Sequence, residues 1–284
     1  LAGATNVALT GAAITIQGLV ASGGALKLDA GDQLTAQSGS TIVADGALAL
    51  AGQAIVAQGM ISSGGMLSLN GRSRLDLSGQ TQVAGAIQAR ATHISLGGLT
   101  VANGSANFEA TKAIDATGII SARGALSAAA GAINLAKGAQ VVSEDEILLS
   151  SGGELANAGT VSAQSLRFVA GNVLLNQGTV FAAKTLELNA AGDLTQSGTA
   201  ESGGTLRLEA TDALHTSGSI TAVGDFSARA GADLVQDAHI LLGKSGTLST
   251  TGALIHSGAL EAAGPILLSG AHVGGAGSLL SDTS

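Results

Sequence analysis

The stretch Leu166–Asp225 reads as three consecutive units of twenty residues: LRFVAGNVLLNQGTVFAAKT (166–185), LELNAAGDLTQSGTAESGGT (186–205) and LRLEATDALHTSGSITAVGD (206–225). Each opens with Leu-x-[Leu/Phe]. A bend of small or turn-forming residues follows, then a short apolar segment, a glycine, an apolar residue close behind it and a polar corner. Self-similarity at a fixed period marks a repeat architecture, because one unit cannot bury its apolar face alone and needs neighbours stacked on it.

The pattern extends outward in both directions. A glycine after the middle segment recurs at Gly18, Gly39, Gly59, Gly79, Gly97, Gly118, Gly138, Gly159, Gly178, Gly198, Gly218, Gly258 and Gly277. Asp237 takes its place in the one intervening unit, a residue that tolerates tight turns and left-handed backbone better than most. Gly18 to Gly258 is 240 residues over twelve steps, a mean of twenty. The opening apolar residue forms a second column at Val7, Leu26, Leu48, Leu67, Ile87, Phe108, Leu126, Ile147, Leu166, Leu186, Leu206, Phe226, Leu248 and Leu267, fourteen units in all. A third column runs Val20, Ile42, Ile61, Val83, Val101, Ile120, Val141, Val161, Val180, Ala200, Ile220, Ile240, Leu260 and Leu279. Its β-branched bias favours strand over helix.

Three short strands and three bends return the chain to its start after each unit. Within a strand the alternation L-x-L sends apolar residues to one face and polar residues to the other. The expected fold is therefore all-β, a parallel β-helix of about fourteen rungs of about twenty residues, three short strands each, running as one continuous segment over residues 1–284. At ~4.8 Å per rung such a stack is roughly 65–70 Å long. Residues Leu1-Ala2-Gly3 read as the tail of a preceding rung and Ser281–Ser284 follow the last strand directly, so the chain is expected to be part of a longer array. Pro265, the only proline, sits in a corner where it is tolerated.

Composition agrees. The chain has 43 Gly, four Phe and neither Trp nor Tyr, where a globular core of this size normally buries large aromatics. Helix is disfavoured, since glycine costs ~1 kcal/mol against alanine within one. Without cysteine there is no disulfide framework, thiolate metal site or catalytic thiol. A net charge of −8 speaks against nucleic acid as a partner. Two stretches lack charge, Leu1–Leu26 and Gly46–Gly71, but both are broken by polar residues and glycine in the repeat pattern, so no membrane span is expected.

Outward positions agree with stacking. Arg167, Glu187 and Arg207 fall at one position of successive rungs, and Asn189, Glu209 and Arg229 at another. Opposite charges placed across neighbouring strands add about 0.2–1 kcal/mol per pair.

Candidate sites are few. Glu144-Asp145-Glu146 is an acidic corner, whereas a Ca²⁺ site needs six to eight oxygens in defined geometry. His93, His215, His239, His256 and His272 fall in different rungs, too far apart for shared metal ligation. Asp76, Asp115, Asp193 and Asp233 sit in or near middle strands, the one arrangement of carboxylates that would suit a glycosidase. Rungs of 18 to 22 residues leave no insertion to build a cleft, so no enzyme activity, catalytic residue, metal or cofactor is expected, and the binding residues are unassigned. Phe108, Phe168 and Phe226 are expected inside, and Phe181 outside.

The units L-x-L-x-A-G-x-L-x-x-x-G-x-[IV]-x-A-x-G resemble the shaft repeats of the filamentous haemagglutinin family. The phrases LLNQGTV (174–180), LELNAAGDLTQSGT (186–199) and GALSAAAGAINLAKG (124–138) carry the likeness. That family comprises large exoproteins of two-partner secretion in Gram-negative bacteria, among them adhesins and the stalks of contact-dependent growth-inhibition toxins. The resemblance implies a right-handed β-helix, export through an outer-membrane transporter partner and display as a filament that is secreted or held at the cell surface. On that basis the expected role is a structural shaft extending distal binding or toxin domains. The alternative is a binding module whose strand faces recognise a host glycan or receptor or a bacterial protein partner, with a host cell or a target bacterium's surface as its setting.

Overall fold

A computed structural model describes residues 2–3 and 5–282. Among these residues every regular element is a strand, and no helix is long and apolar enough to cross a membrane. The chain is a β-solenoid of about fourteen turns, with parallel strands stacked about twenty residues apart. It forms two compact units, residues 1–134 with 138–145, and residues 135–137 with 146–284.

In the first unit, strands Leu48–Ala57, Leu67–Leu77, Ile87–Leu96 and Ala106–Ala116 stack in register. Leu67 lies between Leu48 and Ile87, and Leu75 between Ile55 and Ile94. These strands run through the first bend, so the expected first and second strands fuse there. The bend survives as a shift of register between Gly71 and Arg74, where a side chain at Gly71 would collide with the Arg74 carbonyl. One rung shows how the interior fills. Leu26, Leu28, Ala30, Leu34, Ala36, Ile42 and Ala44 all point inward, none more than 2% exposed. Small residues closing each strand keep the cross-section narrow, which explains the scarcity of aromatics.

In the second unit the fusion moves to the third corner, in Thr160–Ala170 and Thr179–Ala190. From Thr199 onward the three strands of each rung are separate. Leu166, Leu186, Leu206 and Phe226 stack as openers.

Register corrects three columns. Phe108 is not an opener: it lies between Ala89 and Ala128, and Ala106 opens its rung. Likewise Leu248 pairs with Ala228, Gly246 opens opposite Phe226, and Ile266 opens the next rung. Leu267 faces outward, 59% exposed. Volume is traded here: Phe108 lies between two alanines beside an opener reduced to Ala106, and Gly246 sits opposite the Phe226 ring. In the third column Thr81 and Thr100 hold the inward position between Ile61 and Ile120, with Val83 two places further in sequence and Val101 facing outward. A buried threonine has valine's shape, so the pattern hides it.

The glycine column shifts too. Ser40, Gly98, Ala139 and Ala238 stack with the other marker glycines, in place of Gly39, Gly97, Gly138 and Asp237. Gly39 and Gly138 instead supply left-handed backbone (φ +80° and +91°) in corners one residue longer. Among the described residues no non-glycine residue has positive φ, so Asp237 is not a left-handed stand-in. Small size is what the stack selects: a methyl group on Gly198 would meet the Gly178 carbonyl oxygen.

Strand Ala2–Gly3 pairs with Ala21–Ser22 of the next rung. Leu1, Thr283 and Ser284 lie outside the described residues.

Candidate interaction surface

Outward residues of the first strand form charged and polar columns in the second unit. Arg167, Glu187 and Arg207 stand in register, with Arg167 Nε 3.3 Å from Glu187 Oε2. Arg207 turns along its own strand to Glu209 instead, at 2.8 Å. Asn189, Glu209 and Arg229 form the neighbouring column. These exposed pairs each contribute about 0–1 kcal/mol.

A shallow groove of about 520 Å³ follows this bend, floored by Ala170, Ala190 and Ala210 and rimmed by Arg167, Asn189, Glu209 and Arg229. Within it Asn189 Oδ1 is buried without a hydrogen-bond partner. Arg229 makes no ion pair among the described residues. An acceptor in want of a donor and an uncommitted guanidinium, two rungs apart, suit a polar ligand lying along the stack. In the first unit the same kind of position is self-satisfied. Arg90 meets Glu109 at 2.9 Å, Asn107 Nδ2 donates to Glu109 Oε1 at 2.9 Å, and Ser127 Oγ donates to Asn107 Oδ1 at 3.0 Å.

The four middle-strand aspartates are engaged locally. Asp76 pairs with Arg74 at 2.8 Å, and Asp115 accepts from Asn134 Nδ2 at 3.4 Å. Asp193 Oδ1 accepts the Ala213 backbone N–H at 3.0 Å, and Asp233 Oδ1 that of Ala253 at 2.8 Å. The last two tie one corner to the next rung, a structural role. At the acidic corner Glu144 approaches Arg123 at 3.9 Å, and the Asp145 N–H donates to Ser143 Oγ at 3.0 Å. Among the described residues no cluster of His, Cys, Asp or Glu is placed to hold a metal.

The histidines are dispersed. His215 faces Asp237 at 3.2 Å and His239 faces Glu261 at 3.8 Å. His93 lies in register between Arg74 and Ala113, and His272 is exposed. Phe108, Phe168 and Phe226 are buried, while Phe181 is 40% exposed.

His256 belongs elsewhere, in a feature that the sequence pattern concealed. Asn157, Asn176, Gln196, Thr216, Gln236 and His256 stack in register on the inner face of the middle strand, all buried. Asn157 Nδ2 donates to Asn176 Oδ1 and Asn176 Nδ2 to Gln196 Oε1, both at 2.7 Å. Gln236 Nε2 donates to the Ala238 carbonyl at 2.6 Å, and its Oε1 meets His256 Nδ1. His256 Nε2 reaches the Ser278 carbonyl at 3.0 Å. The signal was available, since each residue stands two places before the stacked small residue and two after an inward leucine. Polar character alone suggested an outward face.

A family pattern described as haemagglutinin repeat matches residues 1–79, 51–106, 157–230 and 213–284, and one described as repeats of unknown function matches 84–143. The chain belongs to the haemagglutinin repeat family. No curated protein and no solved structure matches it. Haemagglutinin repeats on a β-solenoid are typically non-enzymatic, and the family is generally extracellular or surface-associated in bacteria.

Proposed function

We propose that the chain is a structural shaft segment of a secreted or surface-displayed filamentous exoprotein of a Gram-negative bacterium. The observation that carries this reading is that almost every residue goes into stacking. Successive openers lie 19 residues apart from Val7 to Leu26, 22 from Leu26 to Leu48 and 20 from Leu186 to Leu206, with no inserted loop. Length then follows from residue count at ~4.8 Å per rung, and the mechanical work is to hold distal binding or toxin domains away from the cell. Export through an outer-membrane transporter partner belongs to the same proposal. A chain without cysteine and with local, repetitive contacts can cross a membrane unfolded and then fold rung by rung.

A second reading, a binding module for a receptor or glycan, is favoured by one observation, the groove holding Asn189 Oδ1 and Arg229. A glycan array and a receptor pull-down on the chain separate the two. The shaft reading expects no saturable binding. Saturable binding that disappears in Arg229→Ala or Asn189→Ala would replace it with the binding module.

A further inference from the structure

We propose that the second unit encloses one structural water molecule, held between Gln196 and Thr216 in the middle of its polar ladder. The ladder has a direction. The Gly159 N–H donates to Asn157 Oδ1 at 3.1 Å, which turns Asn157 Nδ2 toward Asn176. Asn176 Nδ2 in turn donates to Gln196 Oε1 at 2.7 Å. That contact fixes the Gln196 amide, because reversing it would set two N–H donors against each other. Gln196 Nε2 is therefore presented as a donor, and it has no protein partner. Thr216, its partner in register on the next rung, has an Oγ1 that likewise finds none. The two side chains are 0% and 1% exposed.

Beyond Thr216 the ladder makes none of the missing bonds. Gln236 spends Nε2 on the Ala238 carbonyl and Oε1 on His256 Nδ1. Thr216 is also shorter than the glutamines on either side of it in register. Buried polar atoms are costly to leave unpaired, and ordered water is the usual partner where the site is polar and roomy. The chemistry selects the occupant. An N–H donor facing the site rejects a metal cation, and an anion would be buried without a cationic neighbour in register. The small neutral molecule that accepts from Gln196 and bonds to the threonine hydroxyl is water.

The test is a high-resolution crystal structure of the chain, joined to ¹⁷O relaxation dispersion, which counts long-lived internal waters. Density within about 3 Å of both Gln196 Nε2 and Thr216 Oγ1 is expected. Thr216→Asn supplies the missing amide rung, and should remove one long-lived water and raise the melting temperature. Thr216→Val keeps the shape, strands the Gln196 donor and should lower it. The proposal falls if the wild-type crystal shows Gln196 Nε2 bonded directly to protein with no density between the residues. It falls equally if Thr216→Asn leaves the ¹⁷O water count unchanged. Should that variant not fold, the wild-type density and the sign of the Thr216→Val shift decide it.

Discussion

The two units fill one inward position in opposite ways. Just before the stacked small residue, the first unit places Ile16, Ala36, Ala57, Leu77, Leu96 and Ala116, and the second places Asn157, Asn176, Gln196, Thr216, Gln236 and His256. The backbone ladder around them is the same parallel pairing. What differs is how each specifies register. Apolar burial has no direction, and L-x-L-x-A puts an apolar residue inward at every second place, so a slip of two residues still buries aliphatics. A file of amides allows no such slip, because a displaced Asn176 would face leucine instead of Asn157 and Gln196. The second unit therefore gains specificity from groups that are costly when unpaired.

The largest test asks whether polarity inside is tolerated only in that file. Leu186 stacks between Leu166 and Leu206, with no polar neighbour in its column. Leu186→Asp should destabilise by about 3–5 kcal/mol, since it buries an unpaired charge. Denaturant unfolding reads this directly. A variant as stable as the parent would mean that the column is not interior.

The next test targets the ladder. Asn176→Leu removes an acceptor and a donor at once and orphans Asn157 Nδ2 and Gln196 Oε1, an expected loss of about 2–4 kcal/mol. Replacing Asn157, Asn176 and Gln196 together by leucine should recover most of that loss, because whole networks exchange for apolar packing nearly evenly. If the triple variant is far weaker than the single one, the ladder adds net stability as well as register, and the two units differ more deeply than in pairing specificity.

How much of this could be read beforehand follows from what a repeat exposes. Period, strand alternation and inward leucines such as Leu186 and Leu206 were legible, because they recur in every rung. Exact register was not, wherever volume was traded between rungs. Phe108 and Leu248 look like openers until Ala106 and Gly246 are seen beside them. The ladder was missed because reading a face from polarity fails when polar residues satisfy one another inside. Asn189 and Arg229 do fall in one column as expected, but a column position says nothing of Asn189 Oδ1 being buried and unpaired, which depends on how the bend folds over it.

The smallest effect concerns the corners, and it separates them from the ladder by pH. Asp225 accepts the Ser245 hydroxyl at 2.6 Å and the Ser245 backbone N–H at 3.3 Å, joining successive rungs in the second unit. The hydroxyl bond first and then the backbone bond hold its carboxyl below the ordinary value of 3.8, against an opposing effect of desolvation, with the Lys244 charge a smaller contribution in the lowering direction. A carboxylate whose folded pKa is depressed favours the folded state above the unfolded value. That contribution fades as pH falls through the lowered folded value. The amides of the ladder carry no proton to lose in this range, so acid should loosen this corner while leaving Asn157–Asn176–Gln196 intact. Carboxyl NMR titration of Asp225 should give a midpoint below 3.8, and Ser245→Ala should return it toward that value. A midpoint unmoved by Ser245→Ala would show that the corner bond is not what lowers it.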